Sequence, residues 1–294
     1  MTDFLLKRDI ENETVDTESA EKINPLADKA IGVFDSGLGG LTVLKEIIKL
    51  LPNENTVYFG DSGRTPYGSK SADTVRRFSR QNTRFLLEQG VKMIVIACNT
   101  ASAQAYNEVR QIAGVPVIEV ITPGAQAAVA KTTNRRIGVI GTRGTVQSGV
   151  YAQALARSSG RQLHISQQAC PLFVGLAEEG WWNNDIVKSV AGVYLEPLIK
   201  DNIDTLVLGC THYPLLAEAI GQVMGPEVEL INAGHFVAEQ VMQQLRRDKL
   251  LNAQKQLGWH QYFTSDSASH FQQLGSSFLE QRIQAAGHIE IENY

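Results

Sequence analysis

Three cysteines in 294 residues are too few, and odd in number, for a disulfide framework. Free thiols in a reducing compartment are the expected state, which places the chain in the cytoplasm. The N-terminus agrees, because it carries acids where a secretory signal needs positive charge followed by an apolar segment. No apolar run approaches the roughly 18 residues that span a bilayer, so no membrane role is expected. No cluster of lysine and arginine marks a nucleic-acid face, and the formal charge of -4 fits that absence. The single Gly-rich turn after a strand, with Gly37, Gly39 and Gly40, lacks the last glycine of a dinucleotide fingerprint, because Thr42 stands there. A Walker-type lysine is missing too. No cofactor loop or metal cage is evident, and the expectation is that the chain works with neither.

What is present is a chain of alternating strand and helix patterns. With 43% apolar and 20% charged residues, it has material for one large domain or two ordinary ones. Residues 1–28, rich in Asp, Glu, Asn and Thr, read as an acidic leader and a mobile tail. From Lys29 the pattern changes. A buried-strand run at 30–34 leads into DSGLGG and an amphipathic helix over 41–51. A strand at 56–59 opens the turn-rich stretch 60–68, and helical spacing over 71–89 stops at Gly90. Then come a strand ending at Cys98, a helix over 101–113, a strand at 115–121, and a helix from Thr122-Pro123-Gly124 to about 131. The series restarts with a strand at 137–140, a helix over 146–158, a strand at 162–167 and helices over 172–179 and 186–199. A strand ending at Cys210, a helix over 213–224 and a strand at 229–232 follow. The chain ends with a helix over 236–248, a strand at 259–264, a helix over 268–279 and an edge strand at 288–291.

This alternation predicts parallel sheets flanked by helices. An internal echo refines it. IGVFDSG at 31–37 resembles IGVIGTRG at 137–144, and IVIACNTASA at 94–103 resembles LVLGCTHYP at 206–214, at nearly the same spacing. The expected fold is therefore two similar α/β lobes with mainly parallel sheets, related by pseudo-twofold symmetry, with the active site between them. The first lobe would hold 29–121 and 233–294, and the second 122–232.

Cys98 and Cys210 each end an apolar strand, precede an apparent helix start and are followed by Asn99-Thr100 or Thr211-His212. A lone cysteine is most often a small buried hydrophobe; two at equivalent strand ends point to chemistry. A helix N-terminus beside a thiol stabilises the thiolate. Cys170 has no such echo and reads as structural. Asp35, at the end of the first strand, is either an N-cap for the next helix or part of the site. Asp61 reads as a similar cap. His212, two residues beyond Cys210, can protonate or orient that thiol. Glu178 and Glu179, before Gly180-Trp181-Trp182, read on their own as a solvated helix end. Two thiols on opposite walls suit inversion at a carbon acid: one takes a proton from one face while the other delivers one to the opposite face. Backbone N–H groups at helix starts, with Ser and Thr hydroxyls, would bind the substrate's carboxylates.

DSGLGGLTV, TPYG, ACNTAS and GCTHYPLL, in that order over about residues 30–278, closely resemble the glutamate racemases of the cofactor-independent aspartate/glutamate racemase superfamily. The resemblance implies that Cys98 acts on the D-enantiomer and Cys210 on the L-enantiomer of glutamate. It implies that Asp35 assists Cys98, while His212 and Glu178, from LAEEG, assist Cys210. Substrate binding would fall to Asp35, Ser36, Tyr67, Gly68, Asn99, Thr100, Thr211 and His212, with a hydroxyl from Thr142 or Thr145. The implied role is supply of D-glutamate for peptidoglycan by a cytoplasmic homodimer, and the acidic leader is similar to those of members activated by a peptidoglycan precursor. Asn232-Ala233 departs from the Asp-Ser of many members, which leaves the thiol assignment intact. An aspartate racemase is the near rival, but its second motif resembles CTE rather than CTH. A two-lobed solute-binding protein would carry a secretory signal and need no thiols. A nucleotide-binding α/β protein would rest on GLGG alone.

Overall fold

The computed structural model describes residues 24–294; residues 1–23, most of the predicted leader, lie outside the described part. The first series runs β1 (Ile31–Asp35), α1 (Leu41–Leu50), β2 (Thr56–Gly60), α2 (Ala72–Glu88), β3 (Met93–Ile96), α3 (Asn99–Ala113) and β4 (Val117–Glu119). After α4 (Ile121–Lys131) a second series follows: β5 (Arg136–Gly141), α5 (Arg143–Ser148), α6 (Val150–Ser159), β6 (His164–Ala169), α7 (Leu172–Glu178), α8 (Asp185–Lys200), β7 (Thr205–Gly209), α9 (Ala217–Met224) and β8 (Glu229–Ile231). The chain closes with α10 (Ala233–Arg247), β9 (His260–Thr264), α11 (Ala268–Leu279) and β10 (Gly287–His288).

One sheet has the order β10-β9-β2-β1-β3-β4 and the other β6-β5-β7-β8. Every pairing in both is parallel. Parallel strands are covered on both faces and so read as continuous apolar runs, as β1, β3 and β7 do. The run β2-β1-β3-β4 of the first sheet and all four strands of the second share one order: second, first, third, fourth. The echo in the sequence thus corresponds to a repeated topology, with β1 matching β5 and β3 matching β7. In such sheets the chain reverses its direction of growth between the first and third strands. The crevice outside their carboxyl ends is where α/β proteins bind ligands.

A central core joins the sheets through α1, α4, α6 and α10, and separate clusters cover the outer face of each sheet. Among the described residues no helix is long and apolar enough to cross a membrane. The elements differ from the sequence reading in a few places, each with a local cause. The helix expected over 146–158 splits in two at Gly149, whose φ of 67° ends α5 and starts α6. The segment after Cys210 begins as a 3-10 turn, Tyr213–Leu216, before α9. Asn232 accepts from Gly234 N at 3.0 Å, so α10 starts earlier than its apolar pattern indicates. The predicted edge strand shrinks to two residues because Ile291 turns into the outer core.

The last leader residues pack against the body. Lys92 Nζ, buried at the mouth of β3, donates to Ala27 O at 2.5 Å, Leu250 O at 2.9 Å and Glu54 Oε2 at 2.5 Å. Glu54 also accepts from Asn252 N at 2.8 Å. One buried ion pair thus pins the chain's entry to β1 and its exit from α10. Replacing Lys92 with Met strands the Glu54 carboxylate, and unfolding in denaturant is expected to show a loss of about 3–5 kcal/mol. A loss below about 1 kcal/mol, the scale of an exposed pair, would mean that this network does not anchor the segment.

Candidate active site

Four strand ends meet face to face: β1 and β3 from one sheet, β5 and β7 from the other. Asp35 closes β1 and is fully buried. It does not cap α1, whose N-cap has no side-chain bond. Instead Asp35 Oδ2 accepts from Gly37 N at 3.0 Å, and Oδ1 accepts from Thr211 Oγ1 of the opposite lobe at 3.3 Å. Tyr58, on β2, donates to Gly37 O at 2.7 Å and fixes the turn. Burial pushes the Asp35 carboxyl above the usual range, opposed by His212 and by the donors around it.

Cys98 follows β3 and caps α3, accepting from Ala101 N at 3.4 Å. The helix start therefore does reach the thiol. Burial nevertheless outweighs it: desolvation, then the Asp35 carboxylate, push Cys98 up to about 12, against the pull of Ala101 N–H and the Ser36 hydroxyl. In this closed arrangement the Cys98 proton stays on sulfur at neutral pH, contrary to the lowering expected from the helix alone.

Cys210 follows β7 and sits in a different field. Its Sγ is 3.7 Å from His212 Nδ1, and His212 Nε2 is 3.0 Å from Glu178 Oε1 at the end of α7. The carboxylate that meets His212 belongs to Glu178 and not to Glu179. Burial alone would lower the imidazole, but Cys210 and Glu178 on its two sides outweigh burial and raise it to about 10. As an imidazolium His212 donates from both ring nitrogens.

Both thiols open into one cavity of about 20 Å³, shared with Ser36, Asn99, Thr100, Thr211 and His212. Tyr67, Gly68 and Thr142 also line it, with Thr65, Pro66 and Val174, while Asp35, Glu178 and Thr145 are not part of the lining. Space on this scale admits about one water. The seam is polar. Thr100 Oγ1 lies 2.8 Å from Thr142 Oγ1 and 3.2 Å from Thr145 Oγ1, and Thr42 Oγ1 donates to Thr211 O at 2.9 Å. A Cβ on Gly68 would come within 2.4 Å of Thr142 Cβ, so only glycine permits this approach. Tyr67 turns its hydroxyl away from the cavity, donating to Asp61 and accepting from Asn82 Nδ2 at 3.0 Å.

Asp61, read from sequence as a helix cap, is a buried hub instead. It also takes Arg64 Nε at 2.8 Å and Ser265 Oγ at 2.7 Å, and so braces the TPYG loop. Arg64 and Tyr67 lie within six residues of Asp61, but Ser265 is 204 residues away, and no local pattern announces the set. Among the described residues no group of three or more His, Cys, Asp or Glu is arranged to hold a metal ion.

The raised His212 gives a pH signature. Folding favours its protonated form, so its contribution to stability is complete below pH 6.5 and is lost as pH climbs through about 10. Burial of the Cys98 thiol adds a loss of the same sign only above pH 9, where a free thiol ionises. The Tm is therefore expected to fall with pH from 6.5 upward, and His212→Asn to flatten the curve between pH 6.5 and 9. An equally steep curve in the variant would contradict the raised imidazole.

Similarity to known proteins follows the same layout. The profile of the Asp/Glu/hydantoin racemase family matches residues 31–241. A glutamate racemase from Geobacter metallireducens is 48% identical over 264 residues, covering 90% of this chain and 97% of that protein. The crystal structure of glutamate racemase from Francisella tularensis in complex with D-glutamate superposes with a TM-score of 0.86 at 38% identity, over 92% of this chain and 100% of that one. The Escherichia coli glutamate racemase, in complex with L-glutamate and the activator UDP-MurNAc-Ala, matches with a TM-score of 0.73 at 28% identity, over 89% of this chain and 98% of that one. The chain belongs to the Asp/Glu/hydantoin racemase family.

Proposed function

We propose that the chain is a glutamate racemase, interconverting L- and D-glutamate by a two-thiol mechanism without a cofactor and supplying D-glutamate for peptidoglycan. The observation that carries this reading is the opening of Cys98 and Cys210, from matching ends of two duplicated sheets, into a single cavity. In the L-to-D direction the Cys210 thiolate, paired with the His212 imidazolium, takes the α-proton from one face. The Cys98 thiol delivers its proton to the other face. The bond to the first hydrogen breaks as the bond to the second forms, and no net proton is consumed. In the return direction Cys98 must first lose its proton. Asp35, made more basic by burial, is the group positioned to take it, and the His212–Glu178 pair returns Cys210 to its thiol form.

The substrate's carboxylates fit the donors at the starts of α3 and of the turn after Cys210, together with Ser36 and the threonine hydroxyls of the seam. Asn99, Thr100, Thr142 and Thr211 are assigned to that binding role, with Thr145 holding Thr100 and Thr142 from behind. Two lobes, 29–121 with 233–294 and 122–232, close on the substrate. The same reading places the enzyme in the cytoplasm as a homodimer, with the family resemblance as its support. The Escherichia coli relative's activator makes a UDP-linked muramoyl precursor a candidate effector here as well. Unchanged turnover on adding that precursor would remove it.

Cys98→Ala and Cys210→Ala are each expected to reduce racemisation by at least about a hundredfold with the fold retained by circular dichroism. Full activity in either would end the two-thiol mechanism. In deuterated water the wild-type enzyme is expected to place deuterium on the α-carbon of each glutamate enantiomer, and to act on glutamate well ahead of aspartate. Racemisation without solvent hydrogen, or equal rates on both amino acids, would count against it.

A further inference from the structure

Tyr151 stands between the two cysteine segments and has no role in the mechanism above. It is fully buried on α6. Its ring lies against Gly209, the residue before Cys210, where an added Cβ would sit 3.0 Å from Tyr151 Cε2. Its hydroxyl crosses the seam and donates to Asn99 Oδ1 at 2.7 Å. Asn99 is the residue after Cys98, so one stiff aromatic side chain touches the immediate neighbours of both thiols.

That bond also decides which way the Asn99 amide faces. A buried phenol O–H needs an acceptor, and the acceptor it meets among the described residues is Asn99 Oδ1. With Oδ1 held toward Tyr151, Nδ2 points the other way. It has no protein partner among the described residues, yet it is not a sealed polar atom, and Asn99 lines the cavity. An amide nitrogen left open in a cavity between two thiols is a donor waiting for an anionic oxygen.

We infer that Tyr151 is a positioning residue that locks the Asn99 amide with its N–H groups toward a substrate carboxylate, an inference that rests on the racemase reading above. Without the hydroxyl the amide can turn and present its carbonyl oxygen, which repels that carboxylate.

Tyr151→Phe keeps the ring and its seat on Gly209. KM for both glutamate enantiomers is expected to rise about three- to tenfold, the range of one neutral hydrogen bond, with kcat within about twofold. In an Asn99→Ala background the same substitution is expected to add nothing, because the amide it orients is gone. Unchanged KM in Tyr151→Phe, or a full effect in the Asn99→Ala background, would overturn the assignment. Asn99→Asp tests the orientation without touching Tyr151, since it keeps the oxygen facing the phenol and puts a second oxygen where the N–H groups stood. It is expected to bind glutamate more weakly than Asn99→Ala; equal or tighter binding would also overturn the assignment. Failure of the wild-type enzyme to racemise glutamate would remove both readings. An active wild type with a normal Tyr151→Phe KM would remove only this one.

Discussion

At the site the seam between the lobes is closed by short polar bonds, alongside the apolar core that joins the two sheets, and the site depends on those bonds. Thr100 with Thr142, Thr42 with Thr211 and Asp35 with Thr211 each bridge the two sides. Such bonds are strong in a dry interior yet contribute only about 0.5–1.5 kcal/mol each once exchange with water is counted. The seam brings four strand ends within reach of one another and leaves too little room for bulk water.

The duplication supplies equivalent positions but not equivalent surroundings. Cys98 sits beside a buried carboxyl and keeps its proton; Cys210 sits beside an imidazolium that Glu178 holds from behind. A carboxylate neighbour disfavours the thiolate and a cationic neighbour favours it. The two walls thus differ, with a buried carboxyl beside one thiol and an imidazolium beside the other. The same topology, repeated, carries opposite electrostatics on its two walls.

Much of this was legible in the sequence. The runs at β1, β3 and β7 announce buried parallel strands because both of their faces are covered, and the paired cysteines mark where two such strands end. The echo between IGVFDSG and IGVIGTRG indicated two similar α/β halves, while their common strand order came only with the fold. Glu178 was not legible from local pattern, since its partner His212 lies 34 residues away and its helix end is one-third exposed. Tyr151 left no signal either, because folding alone brings Asn99 to it, and Asp61 was misread because Ser265 reaches it only in the fold. For Cys98 the sequence indicated the helix start but not the depth of burial that outweighs it.

The chain passes from one sheet to the other between β4 and α4 and returns between β8 and α10, and α4 and α10 pack together. Both crossings are stiffened at once: Glu119 accepts from Ile121 N and Thr122 N, and Asn232 accepts from Gly234 N. Two stiff links side by side would act as one pivot. Any rotation about it would change the gap between the two sulfur atoms through a single angle.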